Sequence, residues 1–408
     1  MNVETLRGKQ RYAAVIDNII VLCLCLLIIG LPFSISVIEI SASAAIFLWL
    51  FKKIFILRDI KIKKTPLNWP LAVYLLFVVL SLSNSQFMMT SVKGLFRKTL
   101  EYVAIYFVIA ETVRTDRDLR KIVGAVLFSC LMMGVDGLWQ YFSGRDLIRA
   151  YPIWSMSRMK ASFKFPTGFG GWLITVLPLC ISLAIFNVRN KSYRFFGALL
   201  SVLLLTCLAF SLTRGAWLAF IPAVVFLVWK RGDAAKKFLL AFLIILILAI
   251  GLIVLSGKTD TLVLYTIRAP AVLHRVDLIR LAWRMFMERP FLGHGINTFM
   301  SIYERYASAF EYSGISYAHN CYMQIAVETG VFSLMAFLWM IAALFVSSLR
   351  DIGKRKDGFL KTVQTGLLAG LLAYLVHSSI ETNLYALQLA ALFHFMLGLT
   401  VSVQNIQD

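Results

Sequence analysis

Apolar segments of roughly twenty residues recur along the whole chain, and they constrain its fold more than any other feature. A helix needs about 20 apolar residues to cross a bilayer. A soluble protein needs far more polar surface than a chain that is 60% hydrophobic and only 15% charged. The alternating pattern of a β-barrel is absent. The sequence therefore predicts an all-α polytopic membrane protein.

We predict about 12 transmembrane helices, separated by short polar loops and one long one. The predicted spans are 16–35, 37–51, 68–84, 99–113, 122–142, 168–187, 195–212, 215–229, 238–256, 331–349, 362–380 and 384–402. The long loop covers residues 257–330 and follows the ninth span. Three parts result: helices 1–9 in 1–256, a helical extramembrane subdomain with active-site residues in 257–330, and helices 10–12 in 331–408.

Lysine and arginine are unequally distributed between the two sides of the membrane when both ends of the chain are placed on the cytoplasmic side. The inner loops hold 14 Lys and 11 Arg, and the outer loops hold 5 Lys and 11 Arg. Short basic inner loops are what the positive-inside rule requires, so this sorting supports the topology. The net charge of +20 does not indicate nucleic acid, because no basic soluble domain is present to bind it. Outer Arg residues either pair with acidic groups and lipid headgroups or recognise phosphate or carboxylate.

Arg214 stands in "SLTRGAW", inside a mostly apolar stretch from about 195 to 229. As one helix this stretch would be about 52 Å long, which exceeds a hydrocarbon core of about 30 Å. We therefore predict two spans joined by a minimal turn, which Gly215 permits. Arg214 then lies at the outer interface instead of the membrane centre, where a charge is costly.

The segment "RVDLIRLAWRMFMER", 275–289, has the periodicity of a helix that ends at Pro290. One narrow arc of this helix carries Asp277, Arg280, Arg284 and Glu288. Their spacing favours a solvated face with paired charges. Arg275 and Arg289 lie on the opposite, apolar arc near the helix ends. They either reach solvent there or point into a protein pocket.

The motifs "PFLGHG" and "YAHNCYMQIAVETG" follow in the same loop. The glycines of the first allow a tight turn with close backbone approach. In the second, Asn320 is predicted to cap a short helix that Gly330 closes. His319 precedes that helix N-terminus, a position that suits a neutral general base, although a histidine that only bonds backbone fits as well. His274, His294, His319 and His377 all fall on or near the outer side.

The sequence predicts neither a metal centre nor a cofactor. Its one D-x-D pattern, Asp116 and Asp118, lies among arginines on the inner side. The outer loops contain no H-x-x-x-H pattern or paired carboxylates. The six cysteines lack metal-ligand spacing and fall mostly within spans, so no structural disulfide is expected.

Together these segments resemble the O-antigen ligase and polymerase superfamily of membrane glycosyltransferases. The resemblance is carried by "SLTRGAW", by "RVDLIRLAWRMFMERPFLGHGINTF" and by "AHNCYMQIAVETGV" before the next span. The order of the motifs and the long loop after the ninth span also match. The specific motifs occupy about 210–330, whereas the similar topology extends over nearly the whole chain.

Membership would imply an inverting, metal-independent enzyme in the bacterial inner membrane, with cytoplasmic termini and a periplasmic active site. Its donor would be a glycan on undecaprenyl diphosphate, and its other partners lipid A core oligosaccharide and membrane lipids. His319 would act as general base, and Arg214 and Arg275 would bind the diphosphate. The predicted substrate-binding residues are Arg284, Arg289, His294 and Asn320.

Among the activities of the superfamily we favour the ligase, which transfers the glycan to a sugar hydroxyl of the lipid A core. The chain is short and strongly basic, and its single dominant outer loop would suit a phosphate-bearing acceptor. A polymerase or a related oligosaccharyltransferase would use the same chemistry on another acceptor. A flippase for the lipid-linked glycan is less favoured, since its charges would lie at the midplane and its halves would repeat.

Overall fold

The computed structural model describes residues 3–186, 190–231, 269–307, 317–356 and 358–407. In these ranges the chain is helical, and its only β pairings are two isolated bridges in the outer loop 144–165. The predicted ninth span, 238–256, lies outside the described residues. The helices are α1 Val3–Gly30, α2 Ile35–Phe51, α3 Asn68–Ser81, α4 Met88–Gly94, α5 Glu101–Thr112, α6 Asp116–Ser143, α7 Pro166–Ile185, α8 Lys191–Phe210, α9 Arg214–Arg231, α10 Ala269–Glu288, α11 Phe299–Ala307, α12 Cys321–Lys354, α13 Phe359–His377 and α14 Leu387–Gln404.

Eight of the described helices are long and apolar enough to cross a membrane: α1, α2 with its extension to Leu57, α6, α7, α8, α12, α13 and α14. They confirm an all-helical membrane protein. The predicted spans 68–84, 99–113 and 215–229 correspond to helices that are shorter or carry more charges. The total of twelve therefore stays a prediction.

The second helix extends further than the predicted span 37–51. It continues as a π-helix from Lys52 to Leu57. Both lysines at this junction are buried, because Lys52 pairs with Asp17 and Lys53 donates to Glu111 at 2.7 Å. Because these lysines are ion-paired, the helix can continue past them and beyond the end of the predicted span.

Helix α7 lies at the centre of the bundle and packs on α8, α9 and α13. The outer helices instead expose large apolar side chains: Leu22 is 58% exposed, Phe47 65% and Val225 60%. A soluble monomer does not present so much apolar surface, whereas lipid accepts it.

Contacts among the loops and helix ends lie at two opposite ends of the described bundle. At one end Lys53 reaches Glu111, and Arg355 donates to the carbonyl of Val403 at 2.7 Å. At the other end Arg158 donates to the Ser211 carbonyl at 3.0 Å and His319 meets Glu381. We call the second end the outer end.

The sharp turn in the stretch 195–229 is present, but Gly215, the residue predicted to permit it, lies in α9 and not in the turn. Helix α8 ends at Phe210 and α9 begins at Arg214, so the turn consists of residues 211–213. Leu212 supplies the left-handed backbone, with φ of 49°. A side chain at Gly215 would lie 2.8 Å from Ile380 Cδ1, so this glycine provides space for the chain segment after α13.

Candidate active site

The two glycine-containing motifs of the long loop bind each other through their backbones. His294 N donates to the Val327 carbonyl at 3.0 Å. Gly293 has a φ of 66°, and Gly330 has a φ of 83° at a break in the helical geometry of α12. A Cβ on Gly330 would lie 1.9 Å from the carbonyl oxygen of Phe291. The predicted tight turn with close backbone approach is therefore present, and it holds the first turns of α12 in place.

Glu328 completes this junction from inside the protein. It is 2% exposed, and its carboxylate accepts from Asn297 N at 2.8 Å and from Phe299 N at 3.2 Å. Phe299 is the first residue of α11, so the carboxylate compensates backbone donors at a helix start. Glu328, the acidic residue of the "VETG" segment, therefore has a structural role.

His319 is held directly before the N-terminus of α12. Asn320 is the N-cap of that helix, and its side chain accepts from Met323 N at 3.0 Å, as predicted. His319 has a φ of 48°, in the left-handed region that few residues other than glycine adopt. Backbone strain of this kind is concentrated at functional sites, so it favours a functional role for this partly exposed histidine.

Glu381 is the partner of both His319 and Arg275. His319 Nδ1 lies 3.2 Å from Glu381 Oε2, and Arg275 Nη2 donates to Glu381 Oε1. Cys321 Sγ lies 3.2 Å from the Glu381 carbonyl oxygen and fastens this segment to α12. Three separate parts of the chain therefore meet at one carboxylate.

The charge state of Glu381 determines which histidine nitrogen is available. Burial raises the pKa of Glu381, but the hydrogen bond from His319 and the charge of Arg275 together hold it below its ordinary value of 4.5. The ionised carboxylate only accepts, so Nδ1 of His319 carries the shared hydrogen. In the neutral ring Nε2 then has the free lone pair, as a general base requires.

His319, Arg275 and Glu381 line an open cavity of about 480 Å³ at the outer end. This volume falls within the range of small-molecule sites. The wall combines cationic and aromatic groups. The other lining residues are Trp154, Arg158, Phe165, Pro166, Thr167, Gly168, Tyr317, Thr382, Asn383, Tyr385, Ala386 and Leu389.

Helix N-termini add positive potential to this cavity. Its wall includes the first residues of α7, from Pro166 to Gly168, and the beginning of α14 at Ala386 and Leu389. The N-terminus of α12 follows His319 directly. Helix N-termini present backbone N–H groups and the positive end of the helix dipole, so they favour anions.

Arg214 lies next to this cavity but is not among its lining residues. It is the first residue of α9 and is partly exposed. The preceding hydroxyl, that of Thr213, donates to the Pro166 carbonyl at 3.1 Å and accepts from Arg158 Nη2 at 3.4 Å. An arginine at a helix N-terminus opposes the helix dipole, so its presence there does not serve helix stability.

The other residues predicted to bind substrate are not brought to this cavity. Arg289 donates to the Asn84 carbonyl at 2.5 Å, and Arg284 is exposed on α10. His294 is buried, which lowers its pKa, and its Nε2 lies 2.8 Å from the Met285 carbonyl. On the same helix Arg280 pairs with Asp277 at 3.3 Å, as its spacing predicted.

Sequence reasoning missed Glu381 and Arg158. A signal for Glu381 existed: it is the one acidic residue in the short outer connection between the last two predicted spans, four positions after His377. Arg158 stands among several basic residues of the outer loop before α7, and no spacing distinguishes it from them. Only the fold brings this loop to the turn before Arg214.

Residues 199–338 match a protein family described as O-Antigen ligase. The match confirms the resemblance to the O-antigen ligase superfamily, and it includes Arg214, Arg275 and His319. Glu381 and Arg158 lie outside the matched residues. No curated protein sequence matches the chain. Within the described ranges, no group of three or more His, Cys, Asp or Glu side chains is arranged to hold a metal ion.

Proposed function

We propose that this protein is an O-antigen ligase of the bacterial inner membrane. It transfers a glycan from undecaprenyl diphosphate to a sugar hydroxyl of the lipid A core, at a periplasmic active site, with both termini in the cytoplasm. The observation that carries this proposal is the meeting of His319, Glu381 and Arg275 in one cavity at the outer end of a membrane bundle. These groups match what the reaction needs: a base, a residue that orients the base, and a cation for the leaving diphosphate.

The base in this proposal is His319. Its Nε2 takes the proton of the acceptor hydroxyl while the oxygen attacks the anomeric carbon of the donor. The resulting imidazolium is stabilised by Glu381, whose Oε2 lies 3.2 Å from Nδ1. General base catalysis of this type contributes about 10²–10⁴-fold to a rate.

The bond between the anomeric carbon and the diphosphate oxygen breaks in the same displacement. The electron pair leaves on the lipid diphosphate, and a single attack from the opposite side inverts the anomeric configuration. Arg275 and Arg214 stabilise this developing charge, together with the helix N-termini around the cavity. Preorganised donors at such a position contribute roughly 3–4 kcal/mol each.

The guanidinium group suits this task better than an ammonium group. Its planar array of donors holds two oxygens of a phosphate at once, and it stays charged in a poorly solvated site. Arg275 keeps one donor on Glu381, which fixes the orientation of the other donors toward the cavity that it lines.

The test is lipopolysaccharide analysis in a strain that lacks this protein, complemented with variants. In the deletion strain we expect loss of all capped core and accumulation of lipid-linked polymer. The wild-type protein should restore capped core, whereas His319→Ala should not. Arg280→Ala is the matched control, since Arg280 lies on the exposed face of α10. A core that carries a single repeat unit would instead identify a polymerase of the same superfamily. Normal lipopolysaccharide in the deletion strain would refute both.

A further inference from the structure

The outer loop before α7, residues 144–165, is more strained than the rest of the described chain. Four of its residues other than glycine have left-handed backbones: Ala150, Met156, Ser157 and Ala161, with φ from 46° to 62°. Such conformations persist only where the surroundings enforce them, and they are concentrated at functional sites. The loop is therefore held in one particular shape.

Buried polar groups enforce that shape from below. Gln140 of α6 accepts from the backbone N–H groups of Lys160 and Ala161, both at 2.9 Å. Asp136, 1% exposed, accepts from Ser162 Oγ at 2.8 Å and from Leu147 N at 2.8 Å. These side chains come from the outer half of α6, so the loop is fixed to a membrane helix.

The strained turn places Trp154 and Arg158 side by side. Trp154 N donates to the Arg158 carbonyl at 3.2 Å across the turn that contains Met156 and Ser157. Both side chains line the cavity of His319 and Glu381. Arg158 also donates to the Ser211 carbonyl, so the loop is attached to the turn before α9.

Trp154 is itself fixed by aromatic and cationic neighbours. Its ring meets that of Phe165 in an edge-on arrangement with centroids 5.6 Å apart. Lys160 Nζ lies 5.7 Å from the Trp154 ring centroid. A ring held in this way presents a rigid apolar surface at little cost in side-chain entropy.

We propose that Trp154 is the stacking platform for the donor sugar that is bonded to the diphosphate. This assignment rests on the proposed function. In the donor, the anomeric carbon is one oxygen atom away from phosphorus, so its sugar ring must lie beside the cations that hold the diphosphate. The C–H face of a pyranose packs on the negative face of an aromatic ring. Trp154 lines the same cavity as Arg275, which the proposed function assigns to the diphosphate, and is therefore placed for that contact.

A second aromatic pair, Tyr317 and Tyr385, lines the same cavity on the chain segments of His319 and Glu381. Tyr317 lies two residues before His319, and its ring centroid is 5.9 Å from that of Tyr385. The base must reach the acceptor hydroxyl, and inversion requires the acceptor to approach opposite the leaving diphosphate. We therefore expect a change at Trp154 to affect donor recognition and not acceptor binding.

The experiment measures transfer by the purified full-length protein with both substrates varied. We expect Trp154→Ala to raise the donor KM about tenfold, the loss of one aromatic contact, and Trp154→Phe to recover most of it. The acceptor KM and inhibition by sugar-free undecaprenyl diphosphate should stay within about twofold. Trp139→Ala is the matched control, because Trp139 is 52% exposed on α6. Thermal melting verifies that each variant is folded.

Three results would overturn the assignment while leaving the proposed function intact. Two concern KM: an unchanged donor KM in Trp154→Ala, or a raised acceptor KM in place of a raised donor KM. The third result is that Trp154→Ala weakens inhibition by undecaprenyl diphosphate as much as it weakens donor binding. Trp154 would then contact the lipid or the phosphate and not the sugar. A wild-type protein that transfers no glycan from a prenyl diphosphate donor would refute the proposed function itself.

Discussion

Replacing Glu381 with Gln tests the central contact of the proposed active site. The substitution keeps the size of the side chain and removes its charge. The carboxylate accepts from His319 Nδ1 at 3.2 Å and from Arg275. An amide has one acceptor oxygen for these two donors, and its NH₂ group faces the other donor. Glu381→Gln therefore either releases one of the two donors or holds His319 in the tautomer that accepts at Nδ1 and carries its hydrogen at Nε2, where the base needs a lone pair.

The expected loss follows from the same distance. A unit charge pair at 3.2 Å interacts by about 1 kcal/mol in water and about 5 kcal/mol at an effective dielectric of 20. The His319 side chain is 30% exposed and the Glu381 side chain 9% exposed, so an intermediate value applies. We take about 3 kcal/mol for the lost stabilisation of the imidazolium, which corresponds to a fall of about 10²-fold in kcat.

The assay is the initial rate of glycan transfer in membranes, normalised to the amount of folded protein. Glu304→Gln is the control, because Glu304 is an exposed residue of α11 at the same end of the molecule. It should keep the wild-type rate. If Glu381→Gln retains a rate within about threefold of wild type, the carboxylate does not support the base and the reasoning is refuted.

The same substitution should also change how the stability of the folded protein depends on pH. The pKa of Glu381 in the folded protein lies below its ordinary value of 4.5. The contribution of the ionised Glu381 carboxylate to the stability of the folded protein is therefore complete above pH 4.5. This contribution is lost as the pH falls through the lower pKa that Glu381 has in the folded protein. The thermal midpoint of the wild-type protein should decrease as the pH is lowered through that range. The thermal midpoint of Glu381→Gln should depend less on pH there. Parallel curves would contradict the assigned ion pair.

Three further substitutions test other steps of the argument. His319→Ala should insert and accumulate normally but abolish transfer, and near-normal transfer would remove it as the base. Arg214→Lys should lose about 10²-fold in transfer although it keeps the charge, because lysine lacks the planar array of donors; full activity would mean that charge alone suffices. Gly330→Ala should destabilise the protein by about 2–5 kcal/mol, through contact with Phe291 at positive φ, whereas Gly353→Ala in the same helix should be neutral by thermal melting.

Much of the local structure could be predicted from the sequence because local interactions produce it. Hydrophobic length predicted helices α1, α6 and α13, since a bilayer segment must satisfy its backbone internally. Pro290 and Asn320 act on the backbone next to them, and α10 and α12 end and begin beside these residues.

The contacts around Glu381 depend on chain segments far apart in sequence. Glu381 and Arg275 are separated by 106 residues, and the capping of a helix or the length of a span does not determine such a pair. The turn at 211–213 shows the same limit, because Gly215 lies outside it and instead makes room for the side chain of Ile380.

The apolar segments predict a helical membrane protein, and the motifs of one segment resemble the O-antigen ligase superfamily. The sequence also predicts that Arg214, Arg275 and His319 share one side. Packing between distant segments brings His319 and Arg275 to Glu381, and it places Arg289 and His294 in other contacts. Periodicity and hydropathy report the surroundings of a residue along its own helix. Which side chain meets a carboxylate from another helix depends on packing between helices, and that information is absent from any single segment.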